Sequence, residues 1–146
     1  MIFPATIILV ILLDFLSKTI VRETFKPEQT VPIIKNVFHL TYVRNSGGAF
    51  GLFSGQQALF ILISLIAILL LSGYYYLGRP QKKFLQMALG FSVGGTLGNL
   101  IDRLLNVTVT DFLDFRVWPV FNVADVAIVF GFLLLILELL KSIREP

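Results

Sequence analysis

The sequence predicts an all-α membrane protein with four transmembrane helices and a small extracytoplasmic β-sheet between the first and second helices. Hydrophobic residues make up 56% of the 146 residues and charged residues only 14%, against roughly 45–50% and about 25% in soluble domains. A chain this short cannot bury so much apolar surface within itself. In addition, four apolar stretches are each long enough to cross a hydrocarbon core about 30 Å thick.

The four predicted spans lie near residues 2–20, 57–78, 84–101 and 121–140. Each is expected to be helical, because backbone groups in lipid must pair within their own segment. The first span has no basic start, Asp14 interrupts it, and no small-residue cleavage site follows, so we expect a retained helix and not a signal peptide. We expect one integral membrane domain over the whole chain.

Basic residues near the span ends predict the orientation. The 78–83 loop and the C-terminal tail are both basic, and basic loops favour the cytoplasm. Both termini are therefore expected inside, with residues 21–56 and 102–120 outside. Lys18 and Arg22 fall on the outer side against this rule, which indicates that something in the protein retains them there.

The outer 21–56 segment contains a predicted strand. Residues 37–43, VFHLTYV, are dense in β-branched and aromatic side chains. Pro27 and Pro32 precede them, and the Gly47-Gly48 pair follows. This pattern predicts a small sheet that lies on the outer membrane surface.

Composition excludes several kinds of chemistry. The chain has no cysteine, which excludes disulfides, zinc–thiolate sites and thiol nucleophiles. His39 is the single histidine, so a histidine-rich metal site is excluded as well. The net charge of +3 comes without a basic stripe and gives no indication of nucleic acid. We expect no metal, no other cofactor and no nucleic-acid partner.

The aspartates concentrate at one predicted depth. All of them fall at the outer ends of spans or in the outer connection: Asp14, Asp102, Asp111, Asp114 and Asp125. Ionisable residues at a bilayer edge are costly and mark functional sites by default. Any one of them is explained equally well as a solvated helix cap. Four helices that deliver carboxylates or amides to the same depth indicate a shared site.

The end of the first span carries Asp14, Ser17 and Lys18 on one helical face, at spacings of three and four residues. One interpretation is an Asp14–Lys18 ion pair that faces the other helices. The alternative is Ser17 as a nucleophile with Lys18 as its base. The nearby carboxylate disfavours this alternative, because it stabilises the protonated form of the lysine.

The third span combines a packing motif with a polar end. Its glycines recur at four-residue spacing, which lets helices approach closely: Gly90, Gly94 and Gly98. Asn99, Asp102 and Arg103 follow at spacings of three and four residues. We expect these three to form a polar cluster that ends the helix.

The 107–117 connection, VTVTDFLDFRV, is predicted to be extended. Its period of two places Asp111 on the side of the apolar residues and Asp114 on the other side, beside Arg116 or water. Loss of solvation is therefore expected to raise the pKa of Asp111.

The fourth span opens with FNVAD, residues 121–125. Asn122 suits an N-cap. Asp125, however, lies about one turn into an apolar helix and is expected to have a neighbour from another segment. Asp111 is the candidate for that neighbour. Two close carboxylates in a low-dielectric site share one proton. Such a pair can activate water, with one carboxyl group as base and the other as acid.

Five motifs together resemble lipoprotein signal peptidase (signal peptidase II, peptidase family A8), a family of bacterial intramembrane aspartic peptidases. In chain order the motifs are DFLSK (14–18), RNSGGAF (44–50), GGTLGNLIDR (94–103), TDF (110–112) and FNVAD (121–125). Their order and spacing follow the family. Thr110, where valine is usual, and Gly48, where alanine is common, are small departures.

The resemblance implies an activity. The family cuts diacylglyceryl-modified prolipoproteins just before the lipid-modified cysteine, and the cyclic peptide globomycin occupies the same cleft. The catalytic dyad maps onto Asp111 and Asp125. Substrate-binding or supporting positions map onto Asp14, Lys18, Asn45, Gly47, Asn99, Asp102, Arg103 and Asn122. Residues 21–56 correspond to the family's β-cradle.

The resemblance also implies a setting. We expect a monomer in the bacterial cytoplasmic membrane, in contact with membrane lipid, with its site near the outer face.

Two other classes of function remain open at this point. A small proton-coupled carrier would use Asp14, Asp102 and Asp125 as a relay, but it predicts polar residues at mid-membrane or on both sides. A structural membrane partner would use the glycine face to bind another helix, but it leaves the aspartates unexplained.

Overall fold

The computed structural model describes residues 1–48 and 52–144. Its helices are α1 (Ile2–Thr24), α2 (Gln57–Gly78), α3 (Lys83–Asn106) and α4 (Val123–Arg144). All four are long and apolar enough to cross a membrane, which confirms the predicted class. Ala49 and Phe50, the last two residues of the RNSGGAF motif, lie outside the described residues.

The helix ends differ from the predicted spans at the end of the helices that carries the sheet. α1 continues to Thr24 and α3 to Asn106, whereas α4 begins only at Val123. Hydropathy marks where a helix leaves the hydrocarbon, not where its hydrogen bonding stops. The expectation that the polar residues after Gly98 end the third helix is therefore wrong.

α3 is the central helix, and it packs against α1, α2 and α4. The glycine stripe faces α1, as the close-approach motif predicts: a Cβ at Gly90 would lie 2.7 Å from the Thr6 Cβ, and one at Gly94 would lie 2.9 Å from the Val10 Cβ. This face is thus occupied within the chain itself.

α2 is the peripheral helix. Ser64 is its one fully buried residue, and side chains such as Leu69 and Leu70 are more than 60% exposed. Wide exposure of apolar side chains fits a helix surrounded mainly by lipid. Because α2 has so little protein around it, its position depends on few contacts.

A three-stranded antiparallel sheet lies at one end of the helices. It consists of β1 (Thr30–Ile34), β2 (Phe38–Asn45) and β3 (Val109–Asp114), in that order. β2 agrees with the strand predicted near 37–43, and β3 is the connection predicted to be extended. The sheet packs on α1 through a small cluster, Val21, Tyr42 and Phe112.

Candidate active site

Asp111 on β3 is almost completely buried, with 2% of its surface exposed. Its Oδ2 accepts a hydrogen bond from Asn45 Nδ2 at 2.9 Å, and its Oδ1 accepts one from Asn122 Nδ2 at 2.6 Å. Burial, followed by the charge of Asp125, raises the pKa of Asp111 to about 7. The expected direction of this shift is confirmed, and Asp111 can hold a proton near neutral pH.

Asp125 is fixed by the start of α4. Asn122 Oδ1 accepts from the Asp125 N–H at 2.9 Å, and the Asn122 N–H donates to Asp125 Oδ2 at 3.1 Å. This reciprocal pair is a capping box, with aspartate in the place of the usual glutamate. The N-cap predicted for Asn122 is present. The other oxygen, Asp125 Oδ1, accepts from Asn99 Nδ2 at 2.7 Å.

Asn122 therefore links the two carboxyl groups, because its Nδ2 donates to the carboxyl group of Asp111 and its backbone N–H donates to that of Asp125. Both aspartates line a polar cavity of about 250 Å³, to which Asn45, Asn99 and Arg103 also contribute. The structure thus brings Asp111 and Asp125 to one cavity, as predicted, although Asp125 also has a local partner in the capping box at the start of α4. The arrangement has room for a water molecule and a peptide group beside two carboxyl groups.

Lys18 carries a second, fully buried part of the polar network. Its Nζ lies 2.7 Å from Asp14 Oδ2, 3.1 Å from Asp102 Oδ2 and 3.0 Å from Asn99 Oδ1. Arg22 also contacts Asp102, at 3.0 Å. These carboxylates explain how two basic residues are retained at the end of α1 for which the charge rule predicts none, since buried charges need paired partners.

The two supporting aspartates also bind backbone groups. Asp14 Oδ1 accepts from the Ala124 N–H at 2.9 Å, which ties the start of α4 to α1. Asp102 Oδ2 accepts from the Thr110 N–H at 3.1 Å, which ties β3 to α3. Each contact fixes the segment that carries one of the cavity aspartates.

Ser17 lies outside this network. Its Oγ donates to the Asp14 backbone oxygen at 2.9 Å, whereas the Lys18 ammonium contacts Asp14, Asp102 and Asn99. This geometry favours the Asp14–Lys18 ion pair over a serine–lysine pair.

The expected cluster of Asn99, Asp102 and Arg103 is formed only in part: the Arg103 guanidinium donates to the Asn99 backbone oxygen at 3.4 Å, but Asp102 and Arg103 point in different directions. Neighbouring residues on a helix point about 100° apart, so Asp102 faces α1 while the Arg103 guanidinium turns to the outer loop. Arg103 donates to the Gly47 oxygen in that loop at 3.3 Å, and its guanidinium lies 4.8 Å above the ring of Phe60 on α2. Sequence spacing alone could not distinguish these directions.

Gly47 is positioned for close backbone contact. Its N–H donates to Asn45 Oδ1 at 2.9 Å, and a Cβ at this position would lie 2.8 Å from the Leu52 oxygen. Any other residue would displace the loop that borders the cavity. Gln57 supports the same region by donating to the Arg103 oxygen at 2.5 Å, a contact that no sequence motif indicates.

Asp114 points away from the cavity. It accepts from Thr41 Oγ1 at 2.6 Å, from the Arg116 N–H at 2.8 Å and from the Arg116 guanidinium at 3.0 Å. Burial acts to raise the pKa of Asp114, but these donors outweigh it, and the pKa is lowered. The period-two prediction for Asp111 and Asp114 is thus confirmed.

An apolar groove of about 530 Å³ adjoins the polar cavity along α4. The groove and the cavity share Trp118, Phe121, Asp125 and Val129. This groove was not predicted from the sequence, although the aromatic residues around Pro119 are a signal for it. Among residues 1–48 and 52–144, no cluster of three histidine, cysteine, aspartate or glutamate side chains could hold a metal ion.

Comparison with known proteins identifies relatives of this chain. The family model for signal peptidase (SPase) II matches residues 6–141. A lipoprotein signal peptidase of Moorella thermoacetica is 48% identical over 144 residues, which is 95% of each chain. One of Halothermothrix orenii is 50% identical over 133 residues, 91% of each chain.

Solved structures agree with the sequence relatives. A bacterial membrane enzyme structure obtained by the in meso method at 2.3 Å resolution aligns with a TM-score of 0.91 and 31% identity, over 97% of this chain and 90% of the other. A second, at 1.9 Å resolution, aligns with a TM-score of 0.85 and 32% identity, over 94% and 91%. With the family match over residues 6–141, these likenesses establish that the chain belongs to the signal peptidase II family of bacterial membrane peptidases.

Proposed function

We propose that this peptidase cuts diacylglyceryl prolipoproteins just before the lipid-modified cysteine, with water activated by Asp111 and Asp125. Removal of signal peptides from lipoproteins follows from the family; the site of the cut and the dyad are the proposal. The observation that carries it is the pair of carboxyl groups held by three asparagines around one polar cavity.

The charges around the cavity support a shared proton. The network contains four carboxyl groups, Asp14, Asp102, Asp111 and Asp125, and three cations, Lys18, Arg22 and Arg103. With every group ionised it carries one net negative charge in a buried setting, where an uncompensated charge is costly. One proton on the dyad makes the network neutral, which is the state that acid–base catalysis by two carboxyls needs.

In the proposed reaction Asp111 holds this proton at rest, because it is the more deeply buried of the two. Ionised Asp125 takes a proton from water, and the resulting hydroxide attacks the scissile carbonyl carbon while Asp111 donates to the carbonyl oxygen. Collapse of the tetrahedral intermediate breaks the C–N bond, and a dyad proton passes to the leaving amine. Neither metal nor covalent enzyme intermediate is required.

The apolar groove supports lateral arrival of the substrate. Trp118, Phe121 and Val129 border both the groove and the polar cavity, so an apolar segment or acyl chain can lie in the groove while its peptide bond reaches the dyad. We propose that globomycin occupies the same cavity.

The basic 78–83 loop supports a topology with both termini in the cytoplasm and the dyad near the outer face. The glycine face is used inside the chain, which supports a monomer. A proton relay is disfavoured, because no ionisable residue lies between Asp125 and Glu138 on α4.

The test uses the purified full-length chain and two synthetic prolipopeptides that differ only in the diacylglyceryl group on the cysteine. We expect cleavage of the lipidated peptide alone, with the new N-terminus at the modified cysteine by mass spectrometry. Equal cleavage of both peptides, or a cut elsewhere, would overturn the proposed specificity. Proton flux in liposomes without cleavage would favour the carrier.

A further inference from the structure

A second large cavity lies at the opposite end of the helices from the dyad. It has a volume of about 600 Å³ and is enclosed by the end of α2, the start of α3 and the end of α4. Its apolar wall includes Leu71, Leu85, Leu89 and Leu135. Tyr74 and Leu139 also line it and are each more than half exposed. The cavity therefore opens sideways toward the lipid and has a volume typical of a small-molecule site.

The mouth of this cavity is positively charged. Lys82 lines it, and its Nζ lies 2.5 Å from Glu138 Oε1. Arg79, immediately before the cavity's Pro80, and Lys83 are exposed, and Lys141 lies 5.6 Å above the Phe84 ring at the start of α3. Lys82 thus pairs with Glu138, the one carboxylate of the lining, and the other three cations lie on residues next to lining residues in the sequence.

The combination of an apolar wall and a cationic mouth selects among the possible occupants. A signal peptide begins with a basic region, which this mouth would repel. A second copy of the chain would bring the same positive charges to the contact. A lipid with an anionic headgroup satisfies both parts of the cavity, since basic pockets between transmembrane helices bind such headgroups.

We propose that this cavity binds one anionic phospholipid, with an acyl chain against the leucine wall and the phosphodiester at Lys82 and Arg79. The lipid bridges α2 to α3 and α4 at the end far from the dyad. Because Ser64 is the one fully buried residue of α2, such a bridge adds contacts where the protein supplies few.

The first experiment is native mass spectrometry of the full-length chain in mild detergent, titrated with dioleoylphosphatidylglycerol or dioleoylphosphatidylcholine. We expect tighter retention of one phosphatidylglycerol molecule. Arg79→Gln/Lys82→Gln should weaken its binding at least tenfold, since each basic residue near an anionic surface contributes about fivefold. Lys26→Gln/Lys35→Gln removes the same charge from exposed positions of the outer segment and should change nothing.

A second pair of variants tests the apolar wall with all charges kept. Leu139→Trp fills the cavity and should abolish retention of phosphatidylglycerol, whereas Leu140→Trp, on the next residue and not part of the lining, should keep it. Equal retention of the two lipids by the unmodified chain would overturn the proposal. The proposal would also be overturned if Lys26→Gln/Lys35→Gln weakened phosphatidylglycerol binding as much as Arg79→Gln/Lys82→Gln does. Full retention of phosphatidylglycerol by Leu139→Trp would overturn it as well. Cleavage of prolipopeptide is a separate measurement that none of these outcomes requires.

Discussion

The Lys18 ammonium lies 3.1 Å from the Asp102 carboxylate across the contact between α1 and α3, and 2.7 Å from Asp14 on its own helix. Its third partner, Asn99, also donates to Asp125. Helix packing and the candidate active site are therefore connected through one buried cation. Residues that support the site also hold the fold together.

Replacement of Lys18 by methionine should destabilise the protein strongly. Lys18→Met leaves Asp14 and Asp102 buried with less compensating charge, and breaking a buried ion pair costs about 3–5 kcal/mol. We expect a lower thermal unfolding midpoint and a lower yield, with activity falling in parallel. Lys26→Met, at an exposed position, is the control. An unchanged midpoint for Lys18→Met would contradict the structural role.

Ser17→Ala should retain substantial turnover. Ser17 donates to a backbone oxygen of its own helix, and the aspartic mechanism forms no acyl-enzyme. The measurement is cleavage of the lipidated peptide by purified Ser17→Ala and unmodified protein at equal folded concentration. A covalent adduct on Ser17 from a serine-directed probe would reverse the assignment.

The raised pKa of Asp111 predicts two pH effects. Its folded pKa of about 7 exceeds the ordinary value of 3.8, so the folded state binds the extra proton between these values. The contribution of Asp111 to the free energy of unfolding therefore falls as pH rises from about 4 to 7 and is constant above pH 7. Asp111→Asn should remove this fall, as thermal unfolding at a series of pH values would measure.

The second effect concerns the rate. A shared proton predicts a bell-shaped rate–pH profile whose two macroscopic pKa values belong to the Asp111–Asp125 pair. The alkaline limb should lie near pH 7, where the pair loses its proton. A rate that is flat from pH 5 to 9 with the lipidated peptide would argue against the dyad.

Hydropathy and periodicity were sufficient for the architecture. Four apolar stretches identified the helices because lipid allows few other structures, and a period of two separated Asp111 from Asp114. The N-cap at Asn122 followed from residue type. Each of these features depends on residues that are close together in the sequence, so a single sequence is sufficient to predict them.

Long-range partners could not be predicted in the same way. Arg103 turned to the outer loop and not to Asp102, because a residue's direction depends on where the next helix packs. The apolar groove beside Asp125 is built by side chains from the 115–121 connection and α4, so no single segment indicates it. The pairing of β3 with β2 also joins distant segments of the chain, so it could not be predicted from either segment alone.

The orientation of the chain is a further prediction. Basic residues at 78–83 and near the C-terminus place both in the cytoplasm. Reporter fusions after residues 80 and 143 should be active only in a cytoplasmic format, and fusions within 30–36 only in an extracytoplasmic one. A cytoplasmic signal from 30–36 would place the dyad on the wrong face for the proposed substrate.

Asp111→Asn and Asp125→Asn should each abolish cleavage while the fold stays intact. Asparagine is nearly isosteric and uncharged, so it removes the acid–base function without adding buried charge, and relief of carboxylate repulsion can raise stability. The double variant should be no worse than either single one, because the pair acts as a unit. Asp114→Asn is the matched control, since Asp114 faces Thr41 and Arg116; it should lose less than tenfold. Turnover above trace level in a purified Asp111→Asn or Asp125→Asn protein, free of unmodified enzyme, would refute the dyad.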